Sequence, residues 1–311
     1  MKNLVLFHHV DFAAPTGDHI MPMRKFAMVA EAVSWEPNIE LREPVPVSYE
    51  DLLRVHNPDY IEAVKTGRPR ELAEAQKFPW TESLYPSVLL TNGGVYAAAD
   101  HALTAGVAGA LASGFHHAGP AAGEGFCTFN GLVVALEKLR ASEKIRTAAV
   151  LDMDLHYGNG TAMLAESRAW MFALSIYGSD YWNNQAWPDV TERKHPMGVH
   201  HASHSLPAGC HGLEMLSILK ELLPMLLGHG KPDILLYQAG ADPLRDDPYS
   251  PLELTAYDLR ERDRVVFEFA KENEIPVAWV LAGGYSEDTS KVVDVHVNTA
   301  KVCRDTYFPI V

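Results

Sequence analysis

Cysteine is scarce: Cys127, Cys210 and Cys303 are the only three in 311 residues. They stand far apart with no C-x-x-C spacing, which disfavours both a disulfide framework and a thiolate zinc site and makes the cytoplasm the default compartment. No apolar run approaches the roughly 18 residues that span a bilayer, and the opening MKNLVLFHHVDF is too poor in apolar residues for a signal-peptide core. Basic charge is in deficit too, with 26 Lys and Arg against 40 Asp and Glu, a net charge of −14. Such a chain repels phosphate, so nucleic acid and anionic membrane lipid are poor partners. Repeats, low-complexity tracts and Gly/Ser linkers are lacking, and residues 1–311 read as one domain. H-E-x-x-H, G-x-S-x-G, a Walker loop and P-C-x-x-C do not occur.

What is present is a core. Apolar residues make up 47% of the chain and charged ones 21%, the balance of a globular protein. Short Val-, Ile- and Leu-rich runs predict strands near residues 3–8, 107–115, 147–156, 170–177, 232–239 and 275–282. Spacings of three and four predict helices at 23–33, 49–66, 86–105, 130–142, 211–228, 254–273 and 288–305. This alternation is that of an α/β protein with a mostly parallel sheet covered on both faces. Residues 177–212 read as one long irregular loop, with Tyr177, Tyr181, Trp182 and Trp187 and then His195, His200, His201, His204 and His211. The spacing of these histidines repeats no metal-ligand pattern, so they read as a surface loop beside a cleft.

The chemistry concentrates where apolar runs end. In TAAVLDMDLHYGNGT, residues 147–161, a strand period of two places Asp152, Asp154 and His156 on one side. PDILLYQAGAD likewise stays apolar until Asp242. Two carboxylates and an imidazole from two strand ends make an open three-ligand set, suited to Zn²⁺ and compatible with Fe²⁺ or another first-row divalent ion. GFHHAGPAAGEGFC adds the adjacent His116 and His117, and IPVAWVLAGGYS ends with two glycines before Tyr285. Alone, a tandem His is more often structural, as the second pair His8 and His9 warns.

Together, GFHHA, GFC, DMDLHYGNGT, QAGAD and GGY occur in the order and rough spacing of the zinc-dependent histone deacetylase family, which includes acetylpolyamine amidohydrolases and acetoin-utilisation-type proteins. The resemblance extends from MPMRKF and VHNPDYIEAV near the start to GGY near the end. It implies the arginase/deacetylase fold, a central parallel sheet of about eight strands between helix layers. Carried over by motif, it makes Asp154, His156 and Asp242 the metal ligands, with His116 and His117 facing the water on the metal. Asp152 orients His116, and Asn159 stands beside His117. Gly125 and Phe126 line an acyl-lysine tunnel, Tyr249 stands at its rim, and Arg24 resembles the Arg at the bottom of the acetyl pocket. A structural K⁺ near the zinc is implied at Asp152, Asp154, His156, Ser175 and Ile176.

The resemblance implies hydrolysis of an acetyl or short acyl group from acyl-lysine or a related acylated amine. His117 is expected to serve as general base and then acid, with the Tyr285 hydroxyl stabilising the oxyanion. Tyr157 departs from the His or Gln common after the ligand His. The neutral Tyr249, where polyamine-specific members carry a carboxylate near the rim, leans away from acetylpolyamines, although Asp246 and Asp247 stand close by. The rival readings are a binuclear ureohydrolase, which requires further Asp residues around the D-x-D-x-H segment, and a non-catalytic acyl-group binder, which would have lost the base or the Tyr.

Overall fold

Leu4 and Leu6 of strand β1 (Leu4–Phe7) pack into one apolar layer while Val5 and Phe7 pack into the other. The same alternation runs through the central strands, for example Leu235, Tyr237 and Ala239 against Ile234 and Leu236. Strands buried on both faces must be apolar throughout, which is why they read as continuous runs. The computed structural model describes residues 3–14, 21–178, 200–228 and 230–309.

The remaining strands are β2 (Ile39–Arg42), β3 (Val107–Ser113), β4 (Ala148–Asp152), β5 (Met171–Gly178), β6 (His201–Leu206), β7 (Ile234–Ala239) and β8 (Val277–Leu281). They form an eight-stranded sheet in the order β2-β1-β3-β8-β7-β4-β5-β6. Every pairing in it is parallel. The predicted α/β class and the sheet of about eight strands both hold.

The helices are α1 (Lys25–Ser34), α2 (Tyr49–Leu53), α3 (Pro58–Thr66), α4 (Arg70–Ala73), α5 (Leu84–Ala105), α6 (Gly131–Ala141), α7 (Asn159–Ala165), α8 (Gly212–Leu222), α9 (Ala256–Glu272) and α10 (Thr289–Tyr307). Residues of α1, α8, α9 and α10 cover one face of the sheet, and residues of α2, α3, α5, α6 and α7 the other. The span 49–66, read as one helix, is two: Ser48 caps α2 through a reciprocal box with Asp51, and Pro58 opens α3.

The reading of 177–212 as a single irregular loop needs correction. β5 continues to Gly178, and His201–Leu206 pairs with it in register as the edge strand β6. His201 is buried with Nδ1 2.7 Å from Glu166 Oε1. Tyr181, Trp182, Trp187 and His195 lie outside the described residues.

Because all eight strands run the same way, their carboxyl ends share one edge of the sheet, where open α/β folds place their sites. β3, β8, β7 and β4 are consecutive neighbours there. The segments after them carry His116 and His117, Tyr285, Asp242, and Met153 to Asn159, respectively, with Asp152 closing β4.

Candidate active site

β4 ends at Asp152, so the pleat does not extend through His156 as the sequence pattern suggested. A loop held by its own carboxylates and by Asp242 takes over. Asp152 Oδ1 accepts from Asp154 N at 3.1 Å, Asp154 Oδ1 from His156 N at 3.0 Å, and Asp242 Oδ1 from Leu155 N at 3.0 Å. Met153 and Leu155 remain in the apolar core, which keeps the polar side chains on the opposite side.

The outcome is the convergence expected of a ligand set. Asp154, His156 and Asp242 are 2%, 4% and 0% exposed, and one ligand-type atom from each lies within 4.8 Å of the others. His156 Nδ1 stands 3.0 Å from both Asp154 Oδ1 and Asp242 Oδ2. Although burial disfavours its charged form, these two carboxylates raise the His156 pKa to about 10. Burial and the Asp154 charge raise Asp242 to about 7. Two buried carboxylates sharing one imidazole proton are a site where a divalent cation balances the charge, so the donors fit such an ion. Gly283 makes the close approach possible: its N–H donates to Asp154 Oδ2 at 2.6 Å, and a Cβ there would lie 1.8 Å from Asp242 Oδ2.

The two adjacent histidines have different surroundings. His116 Nδ1 is 2.7 Å from Asp152 Oδ2, and its Nε2 is 3.7 Å from Asp154 Oδ1. Burial works against the charge, yet these carboxylates raise the His116 pKa. His117 lacks such a partner, since its Nδ1 contacts the Asn159 amide oxygen at 2.5 Å. Burial, with His116 and His156 nearby, pushes it well below the usual range. The two rings are therefore shifted in opposite directions, His116 towards keeping its proton and His117 towards the neutral form, the separation that divides electrostatic support from proton acceptance.

Aromatic rings stand around His156. The centroid of Tyr285 lies 5.9 Å away, Tyr249 6.4 Å and His117 6.0 Å. Phe126 is 6.1 Å from Tyr285. Burial and the charges of Asp242 and Asp154 keep the Tyr285 hydroxyl protonated far above its ordinary pKa. Tyr157, the family departure, is fully buried against Tyr177, with ring centroids 5.1 Å apart.

Three residues support the site in ways the sequence reading did not assign. Arg262 is 1% exposed and braces both ligand loops from behind, its Nη1 donating to Gly240 O at 2.7 Å and Met153 O at 3.2 Å. Its Nε donates to Asp263, which also accepts from Tyr237 and Thr299. Losing one member of such a buried pair typically costs about 3–5 kcal/mol. A signal existed: Arg262 lies on the Leu259–Val266 stripe of α9, where a charge breaks an otherwise buried face.

Lys25 is the second, and it corrects the placement of Arg24. Arg24 is exposed, with Nη2 donating to Thr289 Oγ1 at 3.1 Å. Its neighbour Lys25 is 0% exposed and donates to Ala282 O at 2.5 Å. Burial lowers its pKa to about 8, with Asp242 and Asp154 holding it that high. Helix phase decides the matter, since one residue turns a side chain by about 100°.

Asp247 is the third. Its carboxylate accepts from Tyr285 N at 2.7 Å and Tyr249 N at 3.1 Å, so one buried group sets the backbone of both tyrosines. Asp247→Ala leaves two amides without acceptors, at about 1–3 kcal/mol each where buried. The expected outcome is roughly tenfold lower kcat with metal content unchanged, measured by steady-state kinetics alongside elemental analysis. The implied K⁺ positions lie close together: Asp152 and Ser175 are register partners on β4 and β5, with Ile176 next in β5.

The sequence pattern of the histone deacetylase domain matches residues 19–300. Histone deacetylase 2 of Arabidopsis thaliana is 30% identical over 81% of this chain and 65% of its own length. A histone deacetylase-like amidohydrolase of Pseudomonas aeruginosa is 28% identical over 85% of this chain and 71% of its own. In fold, the chain is similar to an acetylpolyamine aminohydrolase from Burkholderia pseudomallei, with a TM-score of 0.80 and 21% identity over 97% of this chain and 99% of that one.

Proposed function

Because the chain belongs to the histone deacetylase family of hydrolases, we propose that it is a single-domain metal-dependent deacetylase that removes an acetyl or other short acyl group from acyl-lysine or a related acylated amine. The observation that carries this reading is the buried cluster of Asp154, His156 and Asp242 beside a neutral His117 and a protonated Tyr285. Among the described residues this is the one group of three or more His, Cys, Asp or Glu that could hold a metal ion, which favours a mononuclear site over a binuclear ureohydrolase. The retained base and tyrosine argue against a non-catalytic binder.

Asp154, His156 and Asp242 would hold a divalent ion, Zn²⁺ in this reading, which supplies Lewis acidity towards the scissile carbonyl and lowers the pKa of water. The protein's own groups do the rest. His117, with Nδ1 engaged by Asn159, has Nε2 free to accept a proton and return it to the leaving amine. The Tyr285 hydroxyl donates to the carbonyl oxygen as it gains negative charge. His116, held by Asp152, contributes positive charge nearby. Gly125, Phe126 and Tyr249 form the walls that receive the acyl-bearing chain, and a monovalent cation at Asp152 and Ser175 belongs to the same reading. The test is turnover across acetyl-lysine peptides, acetylpolyamines and longer acyl-lysines. Activity on acylated lysine supports the reading, a preference for acetylpolyamines moves it to that subclass, and inactivity on all three overturns it.

Asn159 offers a test by pH. An anion beside an imidazole favours imidazolium, so Asn159→Asp raises the His117 pKa and lowers the fraction of neutral base at neutral pH. The acidic limb of kcat/KM is expected to move to higher pH, as a property of the coupled base and water. A limb that stays or moves lower removes Asn159 as the electrostatic neighbour.

A further inference from the structure

Asn159 has two partners. Its Oδ1 contacts His117 Nδ1 at 2.5 Å, and its Nδ2 donates to Glu124 Oε2 at 2.8 Å. A primary amide has one accepting end and one donating end, so both bonds are satisfied in a single orientation. With the amide reversed, an N–H would face His117 Nδ1, which could pair with it only as an acceptor. The neutral ring would then carry its proton on Nε2, the atom that has to be free. The same reversal would set the amide oxygen against the Glu124 carboxylate with no proton between them. Glu124 thus makes one of the two orientations unfavourable.

The backbone around Glu124 serves the same end. Residues 124–127 form a tight turn, with Cys127 N donating to Glu124 O at 2.8 Å and Glu124 N to Cys127 O at 3.2 Å. Both central residues have positive φ, 51° at Gly125 and 64° at Phe126, as in a type I′ turn. Phe126 N is anchored on Gln76 O at 2.9 Å. Gly125 lies so close to the His117 ring that a Cβ would be 2.4 Å from Cδ2. One turn therefore limits the ring's movement through Gly125 and sets its hydrogen bonding through Glu124 and Asn159.

We propose that Glu124 is a positioning residue: acting through Asn159, it holds His117 in the tautomer protonated at Nδ1 and free at Nε2. This role rests on the deacetylase reading of the site, but part of its test is independent of turnover. The experiment uses the full-length, zinc-loaded protein with ¹⁵N-labelled histidine at a pH where His117 is neutral, and compares the parent with Glu124→Ala and Glu124→Gln. The His117 signals are identified by their loss in His117→Ala. Ring ¹⁵N shifts report which nitrogen carries the proton. The parent and Glu124→Gln, whose amide oxygen still accepts from Asn159, are expected to show one Nδ1-protonated tautomer, and Glu124→Ala a mixture. With an acetyl-lysine peptide, Glu124→Ala should lose about tenfold in kcat with KM within about twofold of the parent, while Glu124→Gln stays within about twofold in both. An unchanged tautomer in Glu124→Ala overturns the proposal. So does an equal loss in the two variants, carried by KM, since that would mean the carboxylate attracts a cationic substrate and does not orient Asn159. If the parent hydrolyses no acylated amine, the deacetylase reading fails, and the tautomer readout alone decides the role of Glu124.

Discussion

Alanine at Asp154, His156 or Asp242 is expected to prevent retention of the proposed divalent ion and to reduce turnover at least 1000-fold. The Lewis acidity lost with the ion is worth several kcal/mol of transition-state stabilisation, and about 4 kcal/mol corresponds to that factor. The local consequences differ between the three. Asp154→Ala also takes acceptors from His156 N and Gly283 N, and Asp242→Ala takes one from Leu155 N. His156→Ala leaves Asp154 and Asp242 facing each other without the imidazole between them. Loss of metal through misfolding is separated from loss of a ligand by Asp242→Asn, whose amide oxygen can still accept from Leu155 N but carries no charge. That variant should melt within a few degrees of the metal-free parent and still fail to retain metal after dialysis, as read by elemental analysis. Full metal content in all three alanine variants would disprove the ligand assignment.

His117→Ala and Tyr285→Phe are expected to keep metal and fold while each loses on the order of 100-fold or more in kcat, with smaller changes in KM. In the proposed mechanism both groups act chiefly on charge that develops in the transition state, so their removal should appear in kcat more than in ground-state binding. The structure supports this division. The Tyr285 main chain is tied to Asp247 through its N–H, so removing the hydroxyl leaves the loop's backbone anchor in place. His117 contributes no ligand atom to the Asp154, His156 and Asp242 cluster. Activity within about threefold of the parent in either variant would show that its assigned role is wrong.

Periodicity and termination determined much of this protein before any coordinates. The six strands found from apolar runs are those buried on both faces, where packing leaves little choice of side chain. The two that were missed, β2 and β6, lie at the sheet edges with largely half-exposed or exposed residues. A strand such as HASHSL has no continuous core face to impose a pattern, so only its pairing with β5 reveals it. Asp154, His156 and Asp242, which the fold brings together, stood out because they close apolar runs with ligand-type groups, whereas His116, His117 and Tyr285 were singled out only once the ordered motifs were taken together.

Tertiary structure decided whatever depends on phase, rotamer or a distant partner. Arg24, the N-cap of α1 with helical backbone angles, and Lys25, its first residue, differ by about 100° in direction, and that put Lys25 in the interior behind the ligands and left Arg24 exposed. Two adjacent histidines are identical as letters. The carboxylate beside His116 and the amide beside His117, from residues 36 and 42 positions away, give the two rings different partners, and with burial their pKa values move in opposite directions. Arg262, Asp247 and Glu124 act on the site through main-chain carbonyls, main-chain amides and the Asn159 amide, contacts made across the fold that composition, period and spacing along the chain do not encode.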